Sequence, residues 1–311
     1  MSRKYYSTKL FYKYYVEWIE LYKKGAIRDV TLDKYYLTQR KLVELAPKLH
    51  LNELDRRSYQ ALLNQYALTH ERQTTMDFHH HLKAAIIDAL DDGLLENDPT
   101  RRVIIKGKKA SAKKHKFLNL VELQMLLRHL DLGEEINWDW FILLVAKTGL
   151  RFAEALALTP DDFDFEKQII NVNKSWNYKI KQGCFQPTKN KSSNRKIIAD
   201  WQLMSQFKTL ISNKQRDYPI FIKPNHRVHN STINHLLERY CSELNIPIIS
   251  IHGLRHTHAS LLLYEGVSIA SVAKRLGHAD TTTTQSTYLH IIQELENKDS
   301  DKVLHHLSQL R

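Results

Sequence analysis

A chain of 311 residues, 42% hydrophobic and 26% charged, is long enough for two cored domains and too apolar to be disordered. A formal net charge of +12 points to a polyanionic partner, nucleic acid ahead of an acidic membrane surface. Cys184 and Cys241 fit neither a zinc nor a disulfide pattern, and no apolar run approaches the roughly 20 residues of a membrane span. The N-terminal stretch MSRKYYSTKLFYKYY is too polar and too aromatic for a secretion signal, so the expected setting is cytoplasmic.

In chain order, FYKYYVEWIELYKKG comes first. It places Phe11, Tyr15, Trp18, Ile19 and Tyr22 on one helical face and ends at Gly25. A second helix starts at a Thr cap in TLDKYY and stops before Pro47. A third opens on the cap candidate Asp55, and a fourth runs from QTTMDF to Gly93. Residues 1–105 carry no strand signal and read as a small helical bundle with Lys, Arg and Tyr on its faces. The triple His79-His80-His81 reads as a surface or DNA-facing part of that bundle. Consecutive helical positions diverge by about 100°, which argues against a metal site.

Residues 1–116 hold 23 Lys and Arg against 14 Asp and Glu, so most of the net positive charge sits there. Lys106, Lys108, Lys109, Lys113 and Lys114 fall in a basic run without periodicity, residues 106–116. Such a run reads as an interdomain linker, and on a basic chain as one lying along a phosphate backbone.

From Phe117 to Arg311 the pattern is mixed. LNLVELQMLLRHL, NWDWFILLVAKTG and RFAEALAL read as helices, the second ending at Gly149. QIINV, SWNYKI, CFQPT and SNRKIIAD, separated by turn signals, suggest a small antiparallel sheet. NHLLERYCSELN, ISIHGLRHTHASLLL and SIASVAKRLG return to helix, and the tail, about residues 290–311, keeps helical spacing. The expected class is mainly α with a small antiparallel β-sheet.

Candidate chemistry lies in this second part. Arg151 opens a helix between apolar neighbours, poorly placed for the helix dipole but well placed for an anion beside free backbone amides. A salt bridge to Glu154, one turn on, is the structural alternative. His252, Arg255 and His256 sit one turn apart. The two histidines have i, i+4 spacing, but no third zinc ligand is near and Arg255 would repel a cation. An Arg and a His reaching one point suit a phosphate better. His278 follows a Gly at a helix end, Tyr288 follows ten residues later, and Lys189 lies in the Lys-rich turn QPTKNKSSNRKI. Each signal is weak alone. As a set they are what phosphoryl transfer without a metal or cofactor requires. Guanidinium forks offset charge on the non-bridging oxygens, a tyrosine attacks, and a lysine protonates the leaving alkoxide.

In TGLRFAEALAL, HGLRHTHASLLL and LGHADTTTTQSTYLH, in that order and spacing, the sequence resembles the tyrosine recombinases, in particular the integrases of temperate phages and conjugative transposons. The resemblance covers most of the chain and is strongest from Phe117 to about His290. It implies that Arg151 and Arg255 clamp the scissile phosphate and that Glu154 supports the first arginine. It further implies His252 as general base, His278 as hydrogen-bond donor to a non-bridging oxygen, and Tyr288 as the nucleophile that joins the DNA 3′ end. Lys189 is the implied acid, in a β-hairpin turn, with Lys191 as the alternative. A glycine common before the acidic position is Ala153 here.

The resemblance also implies the architecture: a core-binding (SAM-like) helical bundle in residues 1–105, the basic linker, and an α+β catalytic domain in residues 117–311. Together these would clamp duplex DNA, as a homo-tetramer on two duplexes, with the tail docking on a neighbouring subunit and excision or host DNA-bending factors as possible partners. Residues 1–15 are too few for the arm-binding domain of many phage integrases: either the protein is of a simpler kind or the sequence is a piece of a longer chain, and arm-site binding is left open. The alternatives are a type IB topoisomerase-like relaxing enzyme and a non-catalytic DNA-binding regulator. The separate bundle argues against the first, and the filled set of chemical positions against the second.

Overall fold

The computed structural model describes residues 8–109, 117–180, 182–224 and 226–288. The chain divides into two compact units, residues 1–113 and 114–311. The first is built from α1 (Phe11–Tyr22), α2 (Asp29–Leu45), α3 (Arg56–Ala67) and α4 (Arg72–Asp91). Asp55 caps α3, its Oδ1 accepting from the Ser58 N–H at 2.7 Å, which satisfies a backbone donor that the helix itself leaves open. Phe11, Tyr15, Trp18 and Ile19 bury one stripe of α1 against Leu42, Leu63, Leu82 and Ile86. Tyr22, expected on that stripe, is instead 45% exposed at the end of the helix.

The histidine triple is divided among environments and does not face outward as a block. His79 is buried, with Nδ1 2.9 Å from Tyr59 Oη. His81 Nδ1 lies 3.0 Å from Thr38 Oγ1, and only His80 is exposed. The cause is the 100° step between successive helical residues, which turns one of the three into the core.

The start of the basic run also departs from a free tether. Val103 and Ile105 pack on the core of this unit, and the Lys108 N–H donates to the His70 carbonyl at 2.8 Å. A Cβ at Gly107 would stand 2.1 Å from the Arg72 nitrogen, so only glycine permits this approach. The side chains of Lys106, Lys108 and Lys109 remain exposed. Lys113, Lys114 and the tail at residues 290–311 lie outside the described residues.

The second unit contains α5 (Leu120–His129), α6 (Trp138–Thr148) and α7 (Phe152–Leu156). Strands follow: β1 (Phe163–Asp164), β2 (Ile169–Val172), β3 (Lys174–Trp176), β4 (Phe185–Pro187) and β5 (Arg195–Ile198). Then come α8 (Trp201–Leu210), α9 (Asn230–Glu243), α10 (Ile251–Tyr264) and α11 (Ile269–Leu276). Helix α6 is apolar on nearly every side, so it is buried on nearly every side, with Phe141, Ile142, Leu144 and Val145 fully inside. Helix α10 packs across it. Helix α8, which the sequence reading left without an element, buries Leu203, Met204 and Phe207 and is capped by Asp200.

The strands make two antiparallel sheets where one was expected. The first has the order β1-β2-β5, and the second pairs β3 with β4. Ile170 and Ile197 face each other across β2 and β5 and fix the register with their burial. Strand β5 therefore pairs away from β4. The segment 188–194, which carries Lys189, is a link between sheets and not a hairpin turn. Among the described helices, none is long and apolar enough to cross a membrane.

Candidate active site

Two helix ends build the floor of the site. Helix α6 stops at Gly149, whose φ of 67° is the left-handed conformation that glycine adopts without a Cβ penalty. Helix α11 stops the same way at Gly277, φ 68°. Helix C-termini present unpaired carbonyls and partial negative charge, and here arginines take them up. Arg255, on α10 and 3% exposed, donates to Gly149 O at 2.6 Å and to Leu276 O at 2.7 Å. Arg151 donates to Gly277 O at 2.9 Å and to Ser193 Oγ at 3.2 Å. Burial, and then Arg151, push the Arg255 pKa down to about 9, which still leaves it charged at neutral pH. Two guanidinium groups are thus held near each other by backbone carbonyls.

Glu154 is the carboxylate beneath them. It accepts from Arg151 Nη1 at 2.6 Å and from Arg195 Nη2 at 2.9 Å, and is 3% exposed. Burial alone would raise its pKa, but Arg195 and then Arg151 hold it below the usual carboxylate range. Glu154 also takes the Arg151 backbone N–H, so this amide is not free for an anion as the sequence suggested. The salt bridge expected as the structural alternative is present, and the Arg151 side chain stays partly exposed beside it.

Arg195 was missed by the sequence reading. Its side chain is buried at the start of β5, where the residue stands opposite Val172, and also donates to Arg275 O at 2.6 Å. Its only sequence signal was a single Arg in a Lys-rich segment.

Tyr288 lies in a helical stretch described over residues 281–288 and is 2% exposed. Its hydroxyl stands 2.9 Å from Nδ1 of His256. The family likeness implied no role for His256. The spacing along α10 instead turns its ring to the tyrosine. His252, one turn earlier, meets His256 edge to face with ring centroids 4.8 Å apart. Burial raises the Tyr288 pKa to about 12, with Arg255 opposing. The protein around His252, then Arg255 and Arg151, lower its pKa. His278 Nδ1 is 2.7 Å from Thr284 Oγ1, and burial followed by Arg255 and Arg151 take its pKa down to about 4.

The arginines, Glu154, His252, His278 and Tyr288 are thereby brought into one electrostatic neighbourhood. Lys189 is exposed on the link between the sheets, and so is Lys191. The link itself is tied to the site. Ser193 is fully buried, donates to Asn190 Oδ1 and receives Arg151.

Behind the site, His258 is a structural histidine. Its Nδ1–H donates to Ala146 O at 3.0 Å, and its Nε2 accepts from Arg275 at 2.8 Å. Burial, then Arg275, lower its pKa to about 3, so the native ring is neutral. A histidine depressed in the folded state binds its proton only after unfolding. Stability is therefore fully present above the ordinary value near 6.5 and falls as pH drops from there towards about 3. His79 and His278, both lowered to about 4, act in the same direction. Urea unfolding should show a clearly lower midpoint at pH 5.5 than at pH 7.5, and a flat response would contradict the neutral, buried rings.

Residues 116–294 match the model of the phage integrase family. The integrase of Staphylococcus phage L54a is 25% identical over 329 aligned positions, covering 95% of this chain and 93% of that protein. The ICEBs1 integrase of Bacillus subtilis is also 25% identical, but over 69% of this chain and 61% of its own length. Among solved structures, the Tn1549 transposon integrase in complex with a circular intermediate DNA superposes with a TM-score of 0.75 at 18% identity, covering 89% of this chain and 94% of that one. A lambda integrase dimer bound to a core site gives 0.67 at 16%, covering 90% and 77%. These last two speak for the fold. With the family model matched over more than half of its length, the chain belongs to the phage integrase family.

Proposed function

We propose that this protein is a site-specific recombinase that cuts and rejoins duplex DNA through a 3′-phosphotyrosine, integrating or excising a mobile element. The observation that carries the reading is a buried tyrosine in the neighbourhood of two arginines anchored on backbone carbonyls. An attacked phosphodiester gathers charge on its non-bridging oxygens. Fixed guanidinium groups offset that charge without reorganising during the reaction.

In this reading Arg151, Arg255 and His278 hold the phosphate, and Glu154 holds Arg151. The phenol oxygen of Tyr288 bonds to phosphorus as the bond to the 5′ oxygen breaks. An imidazole of α10, His252 in the family likeness, takes the phenol proton. Lys189 supplies a proton to the 5′ oxygen, with Lys191 the alternative donor. No metal ion or cofactor is assigned a step. The helical unit, with Lys106, Lys108, Lys109, Lys113 and Lys114, tracks the phosphate backbone, and a homo-tetramer in the cytosol brings two duplexes together. Staphylococcus phage L54a integrase, similar along nearly the whole chain, supports a mobile-element setting.

The test uses a pool of nicked suicide duplexes cut from candidate attachment regions. The wild type should give a protein–DNA adduct that survives denaturation, and Tyr288→Phe should give none while still binding the pool. Adduct formation by Tyr288→Phe would remove the nucleophile assignment. Binding without any adduct from the wild type would favour a regulator.

A further inference from the structure

Two histidines on α10, His252 exposed and His256 half-buried, compete for one task, and the geometry separates them. His252 and His256 are a helical turn apart with their rings at 87°. The hydrogen bond at Tyr288 Oη goes to His256, at 2.9 Å between heavy atoms. That distance lies within the reach a general base needs for the proton it removes. The two rings meet at 60° with centroids 5.8 Å apart, so the contact is a directed hydrogen bond and not a stack.

We propose that His256 is a catalytic residue, the group that accepts the hydroxyl proton of Tyr288 as the phenol attacks, with His252 orienting the His256 ring by edge-to-face contact. This rests on the reading of Tyr288 as nucleophile and deepens it. The step balances without a further reactant. The Oη–P bond forms, the P–O5′ bond breaks, the phenol proton moves to His256 Nδ1, and the 5′ oxygen takes a proton from Lys189. Rejoining runs both transfers backwards.

A base in contact with the hydroxyl is needed for a simple reason. Burial holds Tyr288 mostly protonated at neutral pH, its pKa pushed up to about 12. A pre-formed phenolate is then rare, roughly one molecule in 10⁵ at pH 7. Accepting through Nδ1 requires the neutral ring with its proton on Nε2.

The test compares full-length wild type, Tyr288→Phe, His256→Ala, His256→Asn and His252→Asn on the duplex trapped from the pool. Asparagine places an amide near the Nδ1 position, so it keeps a polar contact to Tyr288 but cannot take a proton. Adduct formation should fall by ~10²-fold or more in both His256 variants, the typical span of general-base removal. Added imidazole should restore His256→Ala at least in part. His252→Asn should be affected less.

A second substrate carries sulfur in place of the 5′ bridging oxygen, a leaving group that needs no proton. It should rescue Lys189→Ala and leave His256→Ala and His256→Asn slow. Near-normal cleavage by His256→Asn would overturn the proposal, as would rescue of either His256 variant by the sulfur substrate. The melting temperature and duplex binding of His256→Asn are to be measured beside its cleavage rate; wild-type values establish that this variant is folded, so the answer does not depend on His256→Ala. A Tyr288-dependent wild-type adduct with unimpaired His256 variants sinks this assignment alone. Failure of the wild type to form any adduct sinks the parent reading and this one with it.

Discussion

Replacing Arg255 by Ala should slow adduct formation by ~10³–10⁵-fold, the range seen when a charge-stabilising arginine is lost from a phosphoryl-transfer site. Duplex binding should stay within roughly tenfold, because in the proposed reading affinity would come from many lysine–phosphate contacts spread along the chain. The argument is geometric. The guanidinium is almost wholly buried, and it spans Gly149 O and Leu276 O with two different nitrogens. Its remaining N–H groups are then fixed in direction before substrate arrives. Lysine keeps the charge but offers a single ammonium on a flexible stem and cannot bridge both carbonyls while reaching a third group. Arg255→Lys should therefore recover little of the lost rate. Single-turnover adduct formation at saturating protein decides it. A normal rate in Arg255→Ala would take this residue out of the chemistry.

The second large effect concerns stability. Glu154→Ala should lower the unfolding free energy by about 3–5 kcal/mol, the usual consequence of removing one partner from a buried charge pair. Glu154 sits between Arg195, whose side chain is 4% exposed, and the partly buried Arg151. Without the carboxylate, Arg195 is left as a buried positive charge facing two others. The double variant Glu154→Gln, Arg195→Met should regain part of the loss, since it removes the stranded charge as well. The pH dependence has a definite sign. Glu154 has a folded pKa below its ordinary value near 4.5, so its contribution is present above that value and is lost as pH falls through the lower, folded one. Denaturant unfolding of the full chain reads all three, and an unchanged midpoint in Glu154→Ala would show that the pair contributes nothing.

The sequence displayed the helices well because their signals are local. Asp55 and Ser58 sit three apart at a cap, Gly149 stands where α6 must stop, and the apolar stripe of α1 repeats at helical spacing. What it hid depends on pairing between distant segments. Nothing in CFQPT or SNRKIIAD states that one pairs with β3 and the other with β2. For the same reason the surroundings of Lys189 were misread as a hairpin. Arg195 and His256 were overlooked because their partners, Glu154 and Tyr288, are 41 and 32 residues away. The arginines, Glu154 and the tyrosine were legible as a set through motif order. Their mutual support was not, because it runs through backbone atoms that carry no sequence letter.

That last feature shapes how the site answers mutagenesis. The groups that aim Arg151 and Arg255 are the carbonyls of Gly149, Leu276 and Gly277. An alanine scan deletes side chains and leaves every one of these oxygens in place, so it will credit the arginines with the whole effect and their supports with none. Changes at Gly149 would misreport for another reason, since an added Cβ would lie 2.7 Å from the His258 ring. An amide-to-ester exchange at the following residue would weaken a single carbonyl as acceptor and leave all side chains intact. At Leu150 it would weigh the Gly149 carbonyl by itself, whereas at Gly277 and His278 it would also remove N–H groups that donate to Lys274 O and Ala273 O.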